Sequence, residues 1–314
     1  TPYKKRWLET LEGLYDSQIP TYETNLQQLM PFSNDQSLAQ FNWYQEINFT
    51  PSTPILHGGT SYAMKRLKDF HQKIDSYDHD RDFPSLDGTS SLSTYIRHGC
   101  LSVRDMLRAG LSHSTGGART WISEIIWRDF YQMILDAFPY VAKKSFKKAY
   151  DQIVFIGEDK HFEAWKKGEI GFPIVDAAMR CLNETGIMHN RLRMIVASFL
   201  CKTLLIHWRK GEAYFAEKLL DYDLAANNGG WQWSSSSGCD AQPYFRIFNP
   251  YTQSEKFDPD GKFIKKWIPE LQGITGKDIH KPQPLMAPNY PQPIVHYESH
   301  RKICLEMYSV VKAT

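Results

Sequence analysis

The feature that most constrains this fold is a pair of long apolar segments, residues 172–185 and 191–207. The first has Pro173 in its opening turn, where proline is favoured, and Gly186 directly after its end, where a helix commonly stops. The second is apolar along almost its whole length, apart from its first turn and one lysine. Because a helix that is apolar on all sides must be buried, we expect a helical core.

Helical periodicity continues through most of the chain. It predicts further helices over the segments 62–74, 121–138, 212–220 and 301–312. No convincing run of alternating strands and no internal repeat is present, and residues 273–293 are proline-rich and expected to be irregular. The predicted fold class is therefore all-α.

The first 60 residues differ from the rest. They contain a short amphipathic segment at 7–15 and then a polar run punctuated by prolines. We predict a connector with one short helix over residues 1–60, followed by a helical domain over 61–314. The chain does not open on methionine, and we treat it as part of a longer polypeptide.

Composition excludes several classes of protein. Of the 314 residues, 42% are hydrophobic and 23% charged, which excludes disordered and fibrous chains. Aromatic residues reach 14%, which fits either a core of large rings or a surface that stacks on a planar ligand or on bases. The net charge is only +2, but basic residues cluster at 143–148, 191–193 and 262–267. Such clusters are either solvated faces or parts of a phosphate-binding patch.

The five cysteines are scattered and form no C-x-x-C pair, which argues against a disulfide framework and a zinc site. We predict no metal. No signal peptide is visible, and the longest apolar run, 194–206, is too short to span a bilayer. We expect a cytoplasmic protein, associated with the nucleoid if prokaryotic, that has no membrane contact and is a monomer.

Segment 121–138 mixes residue types that a core helix rarely combines. Trp121, Glu124, Trp127 and Arg128 have spacings that put them on neighbouring helix faces. One interpretation is an amphipathic helix with an ion pair between Glu124 and Arg128. The other is a ligand site.

Two further segments carry charges that need partners. Arg191 and Arg193 lie in the first turn of a predicted helix, where the helix dipole disfavours cations. Either both are solvated or an anion lies nearby. Asp221 and Asp223 form a D-x-D, which is weak evidence for a metal, and pairing of Asp221 with Arg193 is a competing hypothesis.

Two loops remain open to more than one interpretation. GTSSLS (88–93) is either an ordinary helix cap or a phosphate site at a helix start. NNGGWQWSSSSGCD (227–240) is a linker, a glycine-rich phosphate loop or the wall of a site. The sequence contains no Walker A, G-x-S-x-G or G-x-G-x-x-G motif, so the NTPase, hydrolase and dehydrogenase interpretations lose their main support.

Several ordered motifs together identify a family. RDFPSLDGTSSLS, WISEIIWRDFY, GFPIVDAAMRCLNETGIMHNRLRMIVASFL and DYDLAANNGGWQWSSSSGCDAQPYFRIFNP resemble the flavin-binding domain of the photolyase/cryptochrome family. The similarity is greatest to class I cyclobutane pyrimidine dimer DNA photolyases, and it extends from about Tyr62 to the C-terminus. Residues 1–60 resemble the connector that follows the family's N-terminal antenna domain.

The resemblance implies an all-helical domain that binds FAD, with the fully reduced flavin as the active form. It implies light-driven repair of pyrimidine dimers in damaged DNA, by electron transfer to a dimer flipped out of the duplex. An antenna pigment of folate or deazaflavin type is expected only on an N-terminal domain outside this sequence.

The resemblance also implies the residues that bind the cofactor. Arg193 and Asp221 resemble an ion pair beside the flavin ring, Asp223 a group that bonds its edge, and Asn227 the amide that faces flavin N5. The remaining predicted FAD contacts are Tyr77, Thr89, Ser90, Ser91, Leu92, Ser93, Trp121, Glu124, Arg128 and Asn190.

For the substrate, Trp127 and Trp233 resemble two indole walls that enclose the flipped dimer. Glu124 would hydrogen-bond the dimer, while Asn190 and Met194 complete the pocket. The (6-4) photolyases are expected to have histidine at these last two positions, so the resemblance favours the cyclobutane dimer.

Two arginines and three aromatic positions complete the implied site. Arg81 and Arg191 resemble clamps on DNA phosphates. Trp231 and Trp208 resemble the first two tryptophans of the chain that photoreduces the flavin, but Phe155 stands at the position of the third. We expect photoreduction of oxidised FAD to be slow or rerouted through another Trp or Tyr.

Two alternatives remain. The first is a cryptochrome-like blue-light sensor that binds FAD without repairing DNA. The second is a helical nucleic-acid-binding module without flavin, which would purify colourless.

Overall fold

A computed structural model describes residues 1–12 and 56–312 of the chain. Every regular element in these two ranges is helical, which confirms the predicted all-α class. Short 3₁₀ turns join several of the helices. The α-helices are α1 (Pro2–Glu12), α2 (Thr60–His71), α3 (Tyr77–Asp80), α4 (Ser93–Arg97), α5 (Val103–Leu111), α6 (Gly116–Ala137), α7 (Asp159–Lys167), α8 (Pro173–Thr185), α9 (Asn190–Lys202), α10 (Trp208–Lys218), α11 (Leu224–Ser234), α12 (Pro250–Phe257), α13 (Lys262–Trp267) and α14 (Tyr297–Ser309).

Helices α8 and α9 form the centre of the largest hydrophobic core, as their apolar sequence predicted. Helix α8 begins at Pro173 and ends at Gly186, whose φ of 67° lies in the left-handed region that favours glycine. Its first turn is fixed by Asp176, a buried carboxylate that accepts hydrogen bonds from the backbone N–H groups of Ile170 and Gly171.

The apolar segment 191–207 is not one helix. Helix α9 ends at Lys202, and Leu205 then adopts a left-handed φ of 57° that turns the chain. The ring of His207 accepts a hydrogen bond from the backbone N–H of Arg209 at 3.2 Å, which caps the start of α10. The sequence did not predict this break, because the whole segment is buried and its apolar pattern continues through the turn.

The other predicted helices exist with shifted ends. Helix α6 starts five residues before the predicted position because the Thr115 hydroxyl caps the N–H of Ala118. Helix α11 was not predicted; its Asp223 side chain caps the N–H of Ala226 at 3.0 Å. The stretch 273–293 is irregular apart from a 3₁₀ turn at Gly276–His280.

Helix α6 is the longest described helix and positions the site. One face packs into the cluster around Phe70 and Tyr77, through Trp121 and Ile125. A neighbouring face, with Ile122 and Ile126, is covered by α1 through Trp7. A third face, with Glu124, Trp127 and Arg128, lines a cavity.

The predicted connector is described only in part. Helix α1 overlaps the predicted short helix at 7–15, and the Tyr3 hydroxyl donates to Asp129 on α6 at 2.6 Å. Residues 13–55 lie outside the described part, so the predicted boundary at residue 60 stays a prediction. None of the described helices is long and apolar enough to cross a membrane.

Candidate functional site

A cavity of about 610 Å³ opens between α6, the 89–93 loop, α9 and α11. Its lining runs from Leu56 to Asp240 and so brings together residues up to 184 positions apart in sequence. The predicted FAD contacts that line it are Tyr77, Thr89, Ser90, Ser91, Leu92, Ser93, Glu124, Arg128, Asn190, Arg193, Asp221, Asp223 and Asn227. The predicted substrate residues Trp127, Met194 and Trp233 line it as well.

Trp121 is the one predicted FAD contact that does not line this cavity. Its indole is 2% exposed and packs against Phe70, with ring centroids 5.1 Å apart. Helical spacing placed Trp121 near Glu124, but it could not tell which of the two side chains turns toward the core. The structure gives Trp121 a packing position behind the site.

The loop before α4 has an unusual backbone. Ser91 adopts a φ of 50°, in the left-handed region that non-glycine residues seldom occupy. Arg66 donates to the Ser90 carbonyl at 3.0 Å and holds the loop in place, while Leu92 is buried beneath it. Backbone strain of this kind costs on the order of 1–3 kcal/mol and clusters at ligand sites.

Arg193 and Asp221 form the most enclosed ion pair of the cavity. The guanidinium donates to both carboxylate oxygens, at 3.0 and 2.8 Å, and its Nε donates to the Met188 carbonyl at 2.8 Å. Burial alone would raise the pKa of Asp221, but the Arg193 charge and hydrogen bonds outweigh it and lower that pKa. Asp221 is therefore the anion that offsets the unfavourable position of Arg193 in the first turn of α9.

Asp223 already accepts hydrogen bonds from other groups of the protein. Besides capping α11, it accepts two hydrogen bonds from the Gln132 amide, at 2.9 and 2.8 Å. The Arg128 guanidinium lies 3.9 Å away. Among the described residues, no group of three or more His, Cys, Asp or Glu side chains is arranged to hold a metal ion.

Asn227 lines the cavity at the start of α11. Its Nδ2 donates to the Glu212 carbonyl at 3.1 Å, so the amide hydrogens are turned toward α10. The neighbouring Asn228 donates to the Glu212 side chain at 3.0 Å and to the Val141 carbonyl at 3.0 Å. These bonds fix the first turns of α11 and leave a hydrogen-bond acceptor in the cavity wall.

The segment 227–240 is a helix end and not a linker. A Cβ atom on Gly229 would lie 2.2 Å from the Tyr131 ring, so this glycine admits a neighbouring side chain, while Gly230 faces open space in the cavity. The four serines are buried and close the helix: Ser236 has a left-handed φ of 69°, and the Ser235 carbonyl accepts from Tyr308 at 2.9 Å.

The two predicted phosphate clamps are each paired with a carboxylate. Arg81 donates to Glu124 at 2.6 Å, and Arg191 donates to Asp82 at 2.6 Å. The Arg191 guanidinium also lies 4.2 Å from the centre of the Phe257 ring. Neither arginine lines the cavity itself, so both lie beside it, at positions that link it to the outer surface.

The aromatic residues next to the cavity form two groups of contacting rings. Trp231 lines the cavity and contacts Phe215 and Trp165, at centroid distances of 5.0 and 6.2 Å. Trp208 is buried and stacks on His207, which in turn contacts Phe155 at 4.9 Å. The sequence had singled out Trp231, Trp208 and Phe155, but not the contact with Trp165.

Some cavity residues carried no sequence signal. Arg97, Phe215 and Leu219 line the cavity but belong to none of the patterns that pointed to a site. His189 also lines it, and burial lowers the pKa of this imidazole to about 4. Its Nδ1 accepts from the N–H of Arg191 at 3.2 Å, so it caps α9 as a neutral ring.

Comparison with known proteins places this geometry in a family. Residues 121–310 match the family model described as the FAD binding domain of DNA photolyase. The chain is 43% identical over 99% of its length to the deoxyribodipyrimidine photo-lyase of Vibrio cholerae, covering 68% of that protein. It is 41% identical to the enzyme of the same name from Escherichia coli, over 99% of this chain and 67% of the relative.

Solved structures agree with these relatives. A bacterial class III photolyase from Agrobacterium tumefaciens has a TM-score of 0.81 at 39% identity, covering 87% of this chain and 62% of that one. A cryptochrome from Synechocystis has a TM-score of 0.77 at 30% identity, covering 82% of this chain and 59% of that one. The chain thus spans about two thirds of its relatives.

The relatives confirm the predicted family and enzyme class, and the matched model confirms an FAD-binding domain. Which residues contact the cofactor and the lesion remains a prediction. The chain belongs to the DNA photolyase family and carries that family's helical FAD-binding domain.

Proposed function

We propose that this chain, with reduced FAD bound, repairs cyclobutane pyrimidine dimers in DNA under blue light. The observation that carries the proposal is the shared cavity: Trp127, Met194 and Trp233 line the same space as the Arg193–Asp221 pair. One cavity therefore offers both a flavin site and an aromatic pocket for a flipped lesion. Residues 61–314 form the catalytic domain in this proposal.

The cavity fits FAD in size and in chemistry. Its volume of about 610 Å³ lies within the roughly 300–1,000 Å³ that is typical of cofactor sites. Asn227 offers an oxygen that accepts a hydrogen bond, which matches the N5–H of reduced flavin. Arg193 places a positive charge in the wall, which favours the negative charge that a reduced flavin carries.

When bound and fully reduced, FAD supplies the electron that light sends to the dimer and that returns once the cyclobutane ring has opened. The protein's own contribution is to hold the flipped dimer against the cofactor. Trp127 and Trp233 would stack on its two bases, and such stacking contributes on the order of 1–3 kcal/mol per base. This stabilisation offsets the cost of unstacking the dimer from the duplex.

Glu124 and Arg81 would act together on the lesion. The Arg81 guanidinium donates to one Glu124 carboxyl oxygen at 2.6 Å, which leaves the other oxygen as a hydrogen-bond acceptor. Glu124 would accept a hydrogen bond from the imide N–H of the dimer. Arg81 lies beside it and could donate to a lesion oxygen or a DNA phosphate. Negative charge that develops on the dimer is stabilised by this guanidinium.

The pocket composition supports a cyclobutane dimer over a (6-4) product. Asn190 and Met194 line the cavity at positions where the family resemblance expects histidine in (6-4) photolyases. An amide and a thioether offer hydrogen bonding and apolar contact without a titrating acid. The lesion therefore needs no proton transfer from these two side chains.

Several partners belong to the proposal as well. Damaged DNA is the substrate, with Arg81 and Arg191 on its phosphates, and an antenna pigment of folate or deazaflavin type would bind a separate N-terminal domain. The protein would act as a monomer where the DNA is, in the cytoplasm or nucleoid.

The proposal is tested in two steps. The absorption spectrum of the purified chain shows whether FAD is bound, and a thymine-dimer oligonucleotide then reports repair after chemical reduction and blue light. The matched controls are the same mixture in the dark and an oligonucleotide with a (6-4) product. A colourless protein would overturn FAD binding, and a yellow protein without repair would favour the blue-light sensor that the cryptochrome similarity also allows.

A further inference from the structure

Two groups of aromatic residues near Trp231 could carry an electron to the flavin site. The direction predicted from the family leads toward Trp208, with Phe155 at the outer position. In the described part of the chain, the ring contacts of Trp231 are with Phe215 and Trp165, and none joins it to Trp208. The structure therefore raises the question of which route this chain uses.

The route through Trp208 reaches rings that are hard to oxidise. Trp208 stacks on His207 at 5.6 Å, and His207 contacts Phe155 at 4.9 Å. A phenyl ring gives up an electron far less readily than an indole or a phenol. No ring contact in the described residues connects Trp208 to another Trp or to a Tyr, so a positive charge on Trp208 has no easily oxidised contact partner.

The route through Trp165 reaches the surface in one further step. Trp165 is fully buried, lies 6.2 Å from Trp231 and contacts the Tyr214 ring at 5.9 Å. Gly211 makes the Trp231 position possible, because a Cβ there would lie 2.1 Å from the indole. Tyr214 is half-buried and reaches the molecular surface.

Both indoles are suited to pass charge on. Neither Trp165 nor Trp231 has a hydrogen-bond partner for its buried Nε1–H among the described residues. An oxidised indole that has no proton acceptor keeps its proton and remains a strong oxidant. The next ring then donates an electron that reduces this indole, so the positive charge moves on to the next ring.

Tyr214 has the opposite surroundings. Its hydroxyl donates to the Asn183 side chain, which is exposed, and the ammonium groups of Lys166 and Lys218 lie 5.8 and 5.6 Å from the ring centre. The two ammonium groups disfavour a positively charged ring, so oxidation of Tyr214 must be accompanied by loss of the phenolic proton to water. Because the phenolic proton is lost at the surface, oxidation leaves a neutral tyrosyl radical, and the radical stays on Tyr214.

Tyr308 is the competing phenol, and its surroundings do not serve this purpose. It contacts Phe155 at 6.3 Å, but it is fully buried and its hydroxyl donates to the Ser235 carbonyl. The Tyr214 hydroxyl also donates to a carbonyl oxygen, that of Asn183, so the two phenols differ in their access to water: Tyr308 is 0% exposed, whereas Tyr214 reaches the surface. Tyr308 therefore lacks the exit to water that Tyr214 has.

We infer that oxidised FAD in this chain is photoreduced through Trp231, Trp165 and Tyr214, in that order. Trp231 would donate one electron to light-excited oxidised FAD, Trp165 would then reduce Trp231, and Tyr214 would reduce Trp165 while its phenolic proton goes to water. An external thiol then donates a hydrogen atom that restores Tyr214. The inference rests on the proposed FAD site and names the residues that replace the route blocked at Phe155.

The test follows the radical itself. The FAD-containing chain is illuminated in its oxidised form with a spin trap, and peptide mass spectrometry locates the adduct. We expect the adduct on Tyr214, with a tyrosyl signal in electron paramagnetic resonance that forms more slowly in D₂O. Tyr214→Phe removes both, and Trp165→Phe removes both if it folds; Trp208→Phe and Tyr308→Phe keep them.

Repair from chemically reduced FAD serves as the control, since Tyr214→Phe should leave it unchanged. A Tyr214 adduct that persists in Trp165→Phe, an adduct on Tyr308, or loss of the signal in Trp208→Phe would each overturn the route. Protein that holds FAD but gives no Tyr214 adduct overturns this inference alone. Protein that holds no FAD overturns the proposed function together with it.

Discussion

The flavin side and the DNA side of the cavity are both built on Arg–carboxylate pairs, but they differ in exposure. On the flavin side, the Asp221 side chain is 8% exposed in its pair with Arg193. On the DNA side, Glu124 is 34% exposed in its pair with Arg81, and Asp82 is 35% exposed in its pair with Arg191. The Asp221 carboxylate is thus enclosed by protein, whereas the Glu124 and Asp82 carboxylates keep contact with solvent.

This difference has a physical basis. Separating a buried pair leaves an uncompensated charge in a medium of low dielectric, which costs several kcal/mol. Separating a pair that reaches solvent costs little, because water replaces the partner. We therefore expect the flavin side to respond to mutation with losses of stability, and the DNA side with losses of binding.

The largest effect should follow from Asp221→Asn. It leaves Arg193 without its counterion, and we expect a loss of about 3 kcal/mol in the free energy of unfolding together with loss of bound FAD. Urea unfolding and the flavin-to-protein absorbance ratio measure the two effects. The control is Asp159→Asn, which breaks an exposed pair with Lys210 and should change stability far less. Equal effects of the two variants would contradict the comparison.

The pH dependence of stability tests His189 on the same side. Burial lowers its pKa to about 4, from about 6.5 in an unfolded chain. Between these values the unfolded state binds more protons, so stability falls as pH decreases from about 6.5 to 4, by about 2–3 kcal/mol in all.

His189→Asn should reduce the pH dependence of the free energy of unfolding in this range. The asparagine keeps a side-chain acceptor for the N–H of Arg191. Urea unfolding at several pH values gives the slope. The exposed His79 is the matched control, and His79→Asn should leave the slope in place. An unchanged slope in His189→Asn would show that other groups cause the pH dependence.

On the DNA side, Glu124→Gln should leave folding and FAD content intact and weaken lesion recognition. The amide cannot pair with Arg81 as a carboxylate does, and losing a charged hydrogen bond costs roughly 1.5–3 kcal/mol. We expect affinity for a thymine-dimer oligonucleotide to fall by about tenfold or more. Fluorescence anisotropy measures the affinity. The control is Glu163→Gln, which changes an exposed side chain on α7. Loss of FAD from Glu124→Gln would place this residue on the flavin side.

The smallest effect should come from Arg191→Gln. Loss of one phosphate contact reduces the slope of log K against log salt by about 0.9. The loss should be the same for damaged and undamaged DNA, because phosphates carry no sequence or lesion information. The control is Arg180→Gln, which removes an arginine paired with Glu270 away from the cavity. A loss confined to damaged DNA would mean that Arg191 contacts the lesion.

The helical core was predictable because its signals are local. Pro173 and Gly186 bound α8 in the sequence as they do in the structure. The break at Leu205 was not predictable, because a left-handed leucine inside an apolar run leaves no pattern. Helix α11 was missed for a related reason, since two asparagines and two glycines in its middle obscured its period.

The candidate site was predictable where several unusual residues share a motif. Arg193 needed an anion, and Asp221 was proposed as that anion before any distance was known; the distance is 2.8 Å. Trp121 shows the opposite outcome, because its spacing resembles that of a wall residue but its indole packs into the core. Arg97 and Leu219 had no sequence signal, since their position in the cavity wall depends only on where the chain passes.

By itself the sequence determined the all-α class, the family and most of the residues around the cavity, because periodicity, caps and long motifs are written in neighbouring positions. Only the tertiary structure decided how the charges and rings combine. It paired Arg81 with Glu124 and placed Trp165 against both Trp231 and Tyr214. Such contacts join residues from separate helices, and their distances follow from how those helices pack, which no local pattern records.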